Sequence, residues 1–476
     1  MGLVTPVDPV PVSELGKVHF VAIGGAGMSG IARIMLTRGV TVSGSDSAAS
    51  GLLDELATAG ARVSVGHAAA NLDDADTVVV STAIRPDNPE LMEAQRRGLR
   101  VLHRAAALAS IMLGRQGIAV AGTHGKTTTT SMITTVLRYS GADPSYVIGG
   151  ILAETGLGAA DGTGPAVVVE ADESDGSFLM LASDAAVVTS VEADHLDNYG
   201  TLAAIEQAFA AFARRISAGG LLVACADDAG ARALTALVPP GVTALTYGTA
   251  ADASYRVADI QAHGMRTEFT VTGGPGTMLA GAGPVQLEIA VPGRHNALNA
   301  AAAFALTVQL GVSVADAVAG LAAYRGARRR MELKGVADGV QVIDSYAHHP
   351  TELAADLAAA RDVAAGGRVI AIFQPHLFSR TRIFAADFGT ALGQADEAVV
   401  LDVYAAREDP EPGVTGKLIS DAVPGGGAMF VPDQAAVPGV VTGLVKPGDL
   451  VLTMGAGDVT LLGPQIVAAL RERAAP

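Results

Sequence analysis

Ile118-Ala119-Val120-Ala121-Gly122-Thr123-His124-Gly125-Lys126-Thr127-Thr128-Thr129 reads as a short apolar strand, a glycine turn and a helix opened by Lys-Thr. Such an arrangement holds a polyphosphate. The glycines let backbone N–H groups close on phosphate oxygens, and the helix N-terminus adds the positive end of its dipole. In that geometry Lys126 reaches the β/γ-phosphates of ATP from a solvated loop, and the Thr127 hydroxyl ligates Mg2+. Gly122, Thr123, His124, Gly125 and Thr128 complete the cradle. The spacing is G-x-x-G-K-T, shorter than G-x-x-x-x-G-K-[ST], whose first glycine would fall on Val120. A plain strand-to-helix turn with a surface lysine uses similar letters, but the apolar run before and the helix after are the context the motif requires.

Outward from this stretch, the chain of 476 residues is too long for one core. Half of it is hydrophobic (50%), only 4% is aromatic, and Val/Ala/Ile/Leu runs alternate with Ala-rich helical segments. This is the pattern of an α/β protein with parallel sheets covered by helices. The net charge of −16 argues against a nucleic-acid surface. Cys225 is the single cysteine, so no disulfide framework exists and a cytoplasmic location is expected. Residues 1–16, with Pro6, Pro9 and Pro11, lack the apolar core of a secretory signal. The apolar stretch from Ala297 to Tyr324 is broken by Asn299, Thr307, Gln309, Ser313 and Asp316, and reads as two packed helices rather than a membrane span.

Towards the N-terminus, a strand over 18–23 runs into Gly24-Gly25-Ala26-Gly27-Met28-Ser29-Gly30, in which Gly25, Gly27 and Gly30 match G-x-G-x-x-G. A second strand over 40–43 leads to Asp46, near where a Rossmann fold keeps its ribose-binding carboxylate. The pattern fits a dinucleotide, and equally a UDP-sugar, which offers the same diphosphate and ribose. Strands at 77–80 and 99–102 follow, the first leading into Ser81 and Thr82. His67, His103 and Arg104 lie near strand ends.

Towards the C-terminus, the strand Ala166–Glu170 ends in a carboxylate, as a metal-holding Walker-B strand does, and leads into Asp172-Glu173-Ser174-Asp175. Those acids fit either a metal site or a solvated loop. His195, past a strand at 185–190 and beside Asp194 and Asp197, fits a second metal ligand or a hydrogen-bonded loop residue. Residues 240–292 read as a β-hairpin-like insertion. Asn296 and Asn299 then open a helix, as caps or as adenine contacts. Arg325, Arg328, Arg329 and Arg330 form an anion-attracting cluster, after which strands at 340–343, 368–373, 397–401 and 449–453 repeat a doubly wound pattern. Ligands of open α/β sheets gather at strand carboxyl ends, here Asp344 to Pro350, Gln374 to His376, Ser379 to Arg382 and Asp402 to Tyr404.

Over nearly its whole length the chain resembles the Mur ligase family. The residues that carry the resemblance are HFVAIGGAGMSGIA (19–32), GTHGKTTT (122–129), EADESDGSFL (170–179), EADHLDNY (192–199), PGRHNALNA (292–300), RRRMELKG (328–335), DSYAHHPTE (344–352) and FQPHLFSRTR (373–382). The first and the last two point to the alanine-adding branch, or to its relative that reuses murein tripeptide. The resemblance implies three domains: a Rossmann-like UDP-sugar domain (1–112), a central P-loop ATPase-like domain with a parallel or mixed sheet and a small β insertion (113–325), and a doubly wound amino-acid domain (326–476). It implies ATP-dependent joining of L-alanine to UDP-N-acetylmuramate through an acyl phosphate, by a cytoplasmic monomer or weak homodimer that meets neither nucleic acid nor membrane.

Residue by residue, the resemblance puts Lys126 on the β/γ-phosphates, Thr127 and Glu170 on one Mg2+, and His195 on a second. Asn296 and Asn299 face adenine, Arg330 faces the γ-phosphate and Asp344 faces ATP. His348, Arg380 and Arg382 line the alanine and product pocket. Gly25, Ala26, Gly27, Met28, Ser29, Asp46, Ser81, Thr82 and Arg104 are left to the UDP-sugar. Two departures stand out. The family's common form has an acid where this chain has Ser345, and no lysine lies between His195 and Arg214, so the carbamylated lysine of some relatives is not expected.

Two other readings use parts of the same sequence. An NAD(P)-dependent oxidoreductase built on residues 19–46 leaves the phosphate loop, the acidic segment and the arginine cluster without a role. A nucleotide-gated interaction protein would not require His348 and Arg380.

Overall fold

The computed structural model describes residues 3–406, 408–426 and 428–474, with Ala26 and Asp197 described as backbone only. Its strands make three sheets. The first contains β1 (Val18–Val21), β2 (Val42–Asp46), β3 (Arg62–Val65), β4 (Thr77–Val80) and β5 (Arg100–His103), in the order β3-β2-β1-β4-β5. Its pairings are parallel. The strand order therefore reverses at β1, whose carboxyl end feeds the glycine turn and the helix Ala26–Thr37. β1 is shorter than the apolar run suggests because Ala22 takes φ 61°, outside the extended region. β2 runs on to Asp46, because Ser43 to Asp46 pair with β3.

The second sheet contains β6 (Gln116–Ala121), β7 (Ser145–Val147), β8 (Ala159–Ala160), β9 (Ala166–Glu170), β10 (Ala185–Val188), β11 (Leu221–Cys225), β12 (Thr243–Gly248), β13 (Tyr255–His263), β14 (Arg266–Gly273) and β15 (Val285–Ile289). Their order is β15-β14-β13-β12-β11-β10-β6-β9-β7-β8. β6 lies between β9 and β10, parallel to both. Ile118 to Ala121 and Val167 to Val169 are fully buried. Burial on both faces is why these strands read as unbroken apolar runs. The insertion at 240–292 extends this sheet rather than standing apart from it.

The third sheet contains β16 (Glu332–Ala337), β17 (Val340–Ser345), β18 (Val369–Phe373), β19 (Glu397–Val400), β20 (Ala428–Phe430) and β21 (Leu450–Met454), in the order β16-β17-β21-β18-β19-β20. Only β16 is antiparallel. Apolar layers cover both faces: Leu353, Leu357, Phe373 and Phe388 belong to one, and Val342, Ile370, Ile466 and Leu470 to the other.

The stretch 297–324 forms two helices, Arg294–Gln309 and Val314–Ala323. Among the described residues no helix is long and apolar enough to cross a membrane. Two compact units emerge: Met1–Ala258 with Val271–Val285 and Leu298–Tyr324, and Asp259–Thr270 with Gln286–Ala297 and Arg325–Pro476. The first sheet and the phosphate loop both lie in the first unit.

Candidate active site

β6 delivers the chain into the phosphate loop, and Gly125, at φ 81°, caps the helix Lys126–Tyr139. A Cβ there would lie 2.5 Å from Asn299 Oδ1, so only glycine lets the loop and the asparagine meet. The threonine run stays helical because hydroxyls bond back one turn: Thr130 Oγ1 to Lys126 O and Thr134 Oγ1 to Thr130 O, each 2.8 Å. Thr123 Oγ1 accepts from Glu192 N at 2.8 Å, and His124 N donates to Ser190 Oγ at 3.1 Å, which ties the loop to the segment after β10.

Lys126 is not solvated, contrary to the expectation from sequence. Its Nζ donates to Gly122 O (2.6 Å), Thr123 O (3.1 Å) and Glu173 Oε1 (2.9 Å). An ammonium has three protons to donate, and all three have acceptors. Burial works against its charge, but the carboxylates of Glu173, Asp172 and Glu170 outweigh burial and hold its pKa above the usual lysine value.

Two acids of the acidic segment are likewise not solvated, whereas the Asp172 side chain stays 37% exposed. Glu173 and Asp175 are 2% and 5% exposed. Behind them Phe178 is clamped between Phe212, stacked at 5.2 Å, and Phe209, edge-on at 5.3 Å. Glu170, ending β9, accepts from Thr127 Oγ1 at 3.0 Å and from Gly149 N at 2.7 Å. Burial pushes the Glu173 carboxyl above the usual range, against the pull of Lys126 and His195. Its Oε2 is buried and has no hydrogen-bond partner. Tyr199 donates to Glu173 O (2.6 Å) and Asn198 to Ser174 O (2.9 Å). These bonds bring the short turn after His195 onto the acidic segment. His195 sits at φ 52°, with Nε2 3.6 Å from Asp194 Oδ2 and 3.8 Å from Glu173 Oε1.

The first sheet contributes from its switch point. Asp46 Oδ2 accepts from Gly24 N at 2.9 Å, holding the glycine turn to the end of β2. Gly25 caps the helix Ala26–Thr37, and Gly27 lies beside the Arg104 guanidinium. Met28 and Ser29 turn into the interior, and the side chain of Ala26 lies outside the described residues. Ser81 is in the turn after β4. Thr82 Oγ1 donates to Asp175 Oδ2 at 3.4 Å, with His103 Nε2 3.5 Å from the same oxygen. Arg104 Nη2 donates to Asp172 Oδ2 at 2.6 Å. Arg104 and Lys126 together hold the Asp172 carboxyl far below the usual range, although burial opposes them. Thr82, His103 and Arg104 from the first sheet and Lys126 from the second thus share one acidic segment, a link the sequence spacing does not reveal.

In the second unit, Asn296 Nδ2 donates to Pro292 O at 2.7 Å. Asp344 is fully buried and faces Thr453 and Thr460 Oγ1 at 2.7 Å each, Arg329 at 3.5 Å and Lys334 at 3.8 Å. Its carboxylate is therefore directed inward, onto Arg329 and Lys334. Arg329 and Arg330 both lie over the Tyr346 ring, at 4.8 and 5.1 Å. His348 Nδ1 bonds Tyr346 O at 2.9 Å, and its ring meets His376 at 6.0 Å, which in turn stacks on Tyr404 at 5.9 Å. Arg380 is buried in the helix Phe378–Leu392, whereas Arg382 pairs with Glu411 at the surface.

Three parallel or mixed sheets, with a lysine-bearing glycine loop beside a carboxylate-rich segment, match a known class: the chain belongs to the Mur ligase family. Family models match residues 17–116 (Mur ligase family, catalytic domain), 120–307 (Mur ligase middle domain) and 329–457 (Mur ligase, glutamate ligase domain). The chain is 57% identical to a UDP-N-acetylmuramate–L-alanine ligase of Thermobifida fusca (strain YX), over 99% of this chain and 100% of that one. It is 55% identical to the protein of that name from Kineococcus radiotolerans, over 97% and 98%. Among solved structures, the UDP-N-acetylmuramate-alanine ligase of Thermotoga maritima superposes with a TM-score of 0.81 at 31% identity, covering 96% of this chain and 99% of that one. A murein peptide ligase from Psychrobacter arcticus gives 0.70 at 25%, covering 97% and 100%.

Proposed function

We infer that this chain is an ATP-dependent amide-forming ligase of peptidoglycan precursor synthesis, joining L-alanine to UDP-N-acetylmuramate and releasing ADP and phosphate. The observation that carries the reading is full-length identity of 53–57% to relatives named for that reaction. The murein peptide ligase, at 25%, is the more distant likeness.

The chemistry asks for what the residues offer. A carboxylate is a poor electrophile, so the lactyl carboxylate of the sugar takes the γ-phosphoryl group and becomes an acyl phosphate. The alanine amine attacks its carbonyl carbon, and the tetrahedral intermediate expels phosphate. Bringing two anions together requires cations at the developing charge. Lys126 and Arg330 supply it, and the glycine turn and Arg104 hold the sugar diphosphate. Asn296 and Asn299 face the adenine. Asp344 acts on ATP through the cations it holds. His348 and Arg380, with Arg382, receive the amino acid. On this reading, residues 1–112 serve the UDP-sugar, 113–325 the ATP and 326–476 the amino acid.

Mg2+ fits the donors present. Thr127 Oγ1 and Glu170 Oε1 meet at 3.0 Å, a pair of hard oxygen donors of the kind Mg2+ takes, and Glu173 Oε2 is buried without a hydrogen-bond partner. Thr127 and Glu170 would hold one ion and His195 a second, and bound Mg2+ supplies charge neutralisation for phosphoryl transfer. The protein works in the cytoplasm as a monomer or weak homodimer.

Phosphate release with ATP and UDP-N-acetylmuramate tests the reading, with L-alanine, glycine, L-serine and murein tripeptide compared. L-alanine is expected to give the highest kcat/KM. A preference for tripeptide would move the chain to the other branch.

A further inference from the structure

The acid that the family pattern places at position 345 is absent, and the structure shows a carboxylate arriving there from elsewhere. Asp356, two turns into the helix Pro350–Ala364, is 9% exposed, and its Oδ2 accepts a short hydrogen bond from Ser345 Oγ. The same Ser345 Oγ accepts from Ala347 N at 3.0 Å, so its orientation is fixed. The other oxygen, Asp356 Oδ1, lies 3.5 Å from His295 Nε2. His295 belongs to the turn that opens the helix Arg294–Gln309, one residue before Asn296. The turn is tight: Gly293 has φ 103°, and a Cβ there would lie 2.7 Å from His295 Cε1. Arg330 and Glu352 are the other charged groups that act on Asp356. Burial, with Glu352, pushes the Asp356 carboxyl above the usual range, against the pull of His295, Ser345 and Arg330.

We propose that Asp356 is a positioning residue that supplies the carboxyl group missing at Ser345 and, through His295, fixes the turn that presents Asn296 to the nucleotide. The proposal rests on the reading of Asn296 as a nucleotide contact. Ser345 and Asp356 then act as one unit, a hydroxyl and a carboxylate whose order along the contact is reversible. An acid at both positions would set two buried carboxylates against each other. An acid at neither would leave His295 without its anchor.

The exchange experiment follows directly. Asp356→Ser should raise the KM for ATP and the Kd for a non-hydrolysable ATP analogue about tenfold, the size of a lost charge-assisted bond, with the KM for L-alanine little changed. Ser345→Asp alone should lower the thermal midpoint. The double variant Ser345→Asp/Asp356→Ser, which keeps the same atoms, should bring the analogue Kd back to within about threefold of the parent. Rescue with a parental alanine KM supports the proposal. A folded double variant as weak in analogue binding as Asp356→Ser alone, or an Asp356→Ser variant with parental analogue binding, overturns it. The parent's rate with UDP-N-acetylmuramate and L-alanine tests the ligase reading separately, because calorimetry reads the analogue without turnover.

Discussion

Lys126 Nζ and Glu173 Oε1 form a buried ion pair 2.9 Å apart, with Glu173 entering from the segment after β9. The lysine that would meet ATP is already neutralised by the protein. Lys126→Ala should abolish phosphate release. It should also destabilise the fold by about 3 kcal/mol, because Glu173 is left buried without its cation. A phosphate-release assay and a denaturant melt check both effects. Turnover near that of the parent would remove Lys126 from the phosphate site.

Glu173→Gln keeps a hydrogen-bond acceptor for Lys126 but removes the competing charge. An ATP analogue should then bind more tightly in the absence of Mg2+, by about five- to tenfold, as a phosphate no longer displaces a carboxylate from its ion pair with Lys126. Calorimetry with the metal chelated is the measurement. Unchanged affinity would show that Glu173 does not compete with phosphate for Lys126.

His195→Ala should depress activity more steeply at low Mg2+ than at saturating Mg2+, since excess ion refills a weakened site. Titration of Mg2+ at fixed ATP separates the outcomes. A uniform loss at every concentration would make His195 a structural loop residue.

Glu90 is fully buried beneath β1 and β2, accepting from Ser45 Oγ and Asn71 Nδ2 at 2.6 Å each, with His19 Nε2 at 3.6 Å. Burial alone would raise its pKa, but His19, Ser45 and Asn71 together bring it down to about 2 from 4.5. A depressed carboxyl pKa contributes stability that is complete above the unfolded value and is lost as pH falls from about 4.5 towards 2. The contribution is on the order of 3 kcal/mol. Denaturant midpoints of Glu90→Gln should be lower than the parent's at neutral pH, and the gap should narrow through that acid window. A gap that stays constant down to pH ~3 would mean that the charge of Glu90 does not carry the effect.

The sequence by itself determined the strand runs, the glycine turns and the helix openings, because burial on both faces forces apolar runs and phosphate-holding turns need glycine. It therefore exposed the α/β class, the strand, glycine turn and helix opening around Gly122 to Thr128, and the strand ends of the third sheet. It could not show β16, whose sequence Glu-Leu-Lys-Gly-Val-Ala carries no continuous apolar run, since this edge strand is only partly covered. It also left open whether Asp172, Glu173 and Asp175 are solvated. Only the tertiary structure settled that: Glu173 and Asp175 are buried, Glu173 against Lys126, while Asp172 meets Arg104 with its side chain 37% exposed. The same holds for Ser345. A missing acid is visible in the sequence, but its replacement lies eleven residues on, along a helix whose rotation against β17 brings Asp356 to the serine. Such pairings depend on which faces of distant elements meet, and packing of the whole core sets those faces.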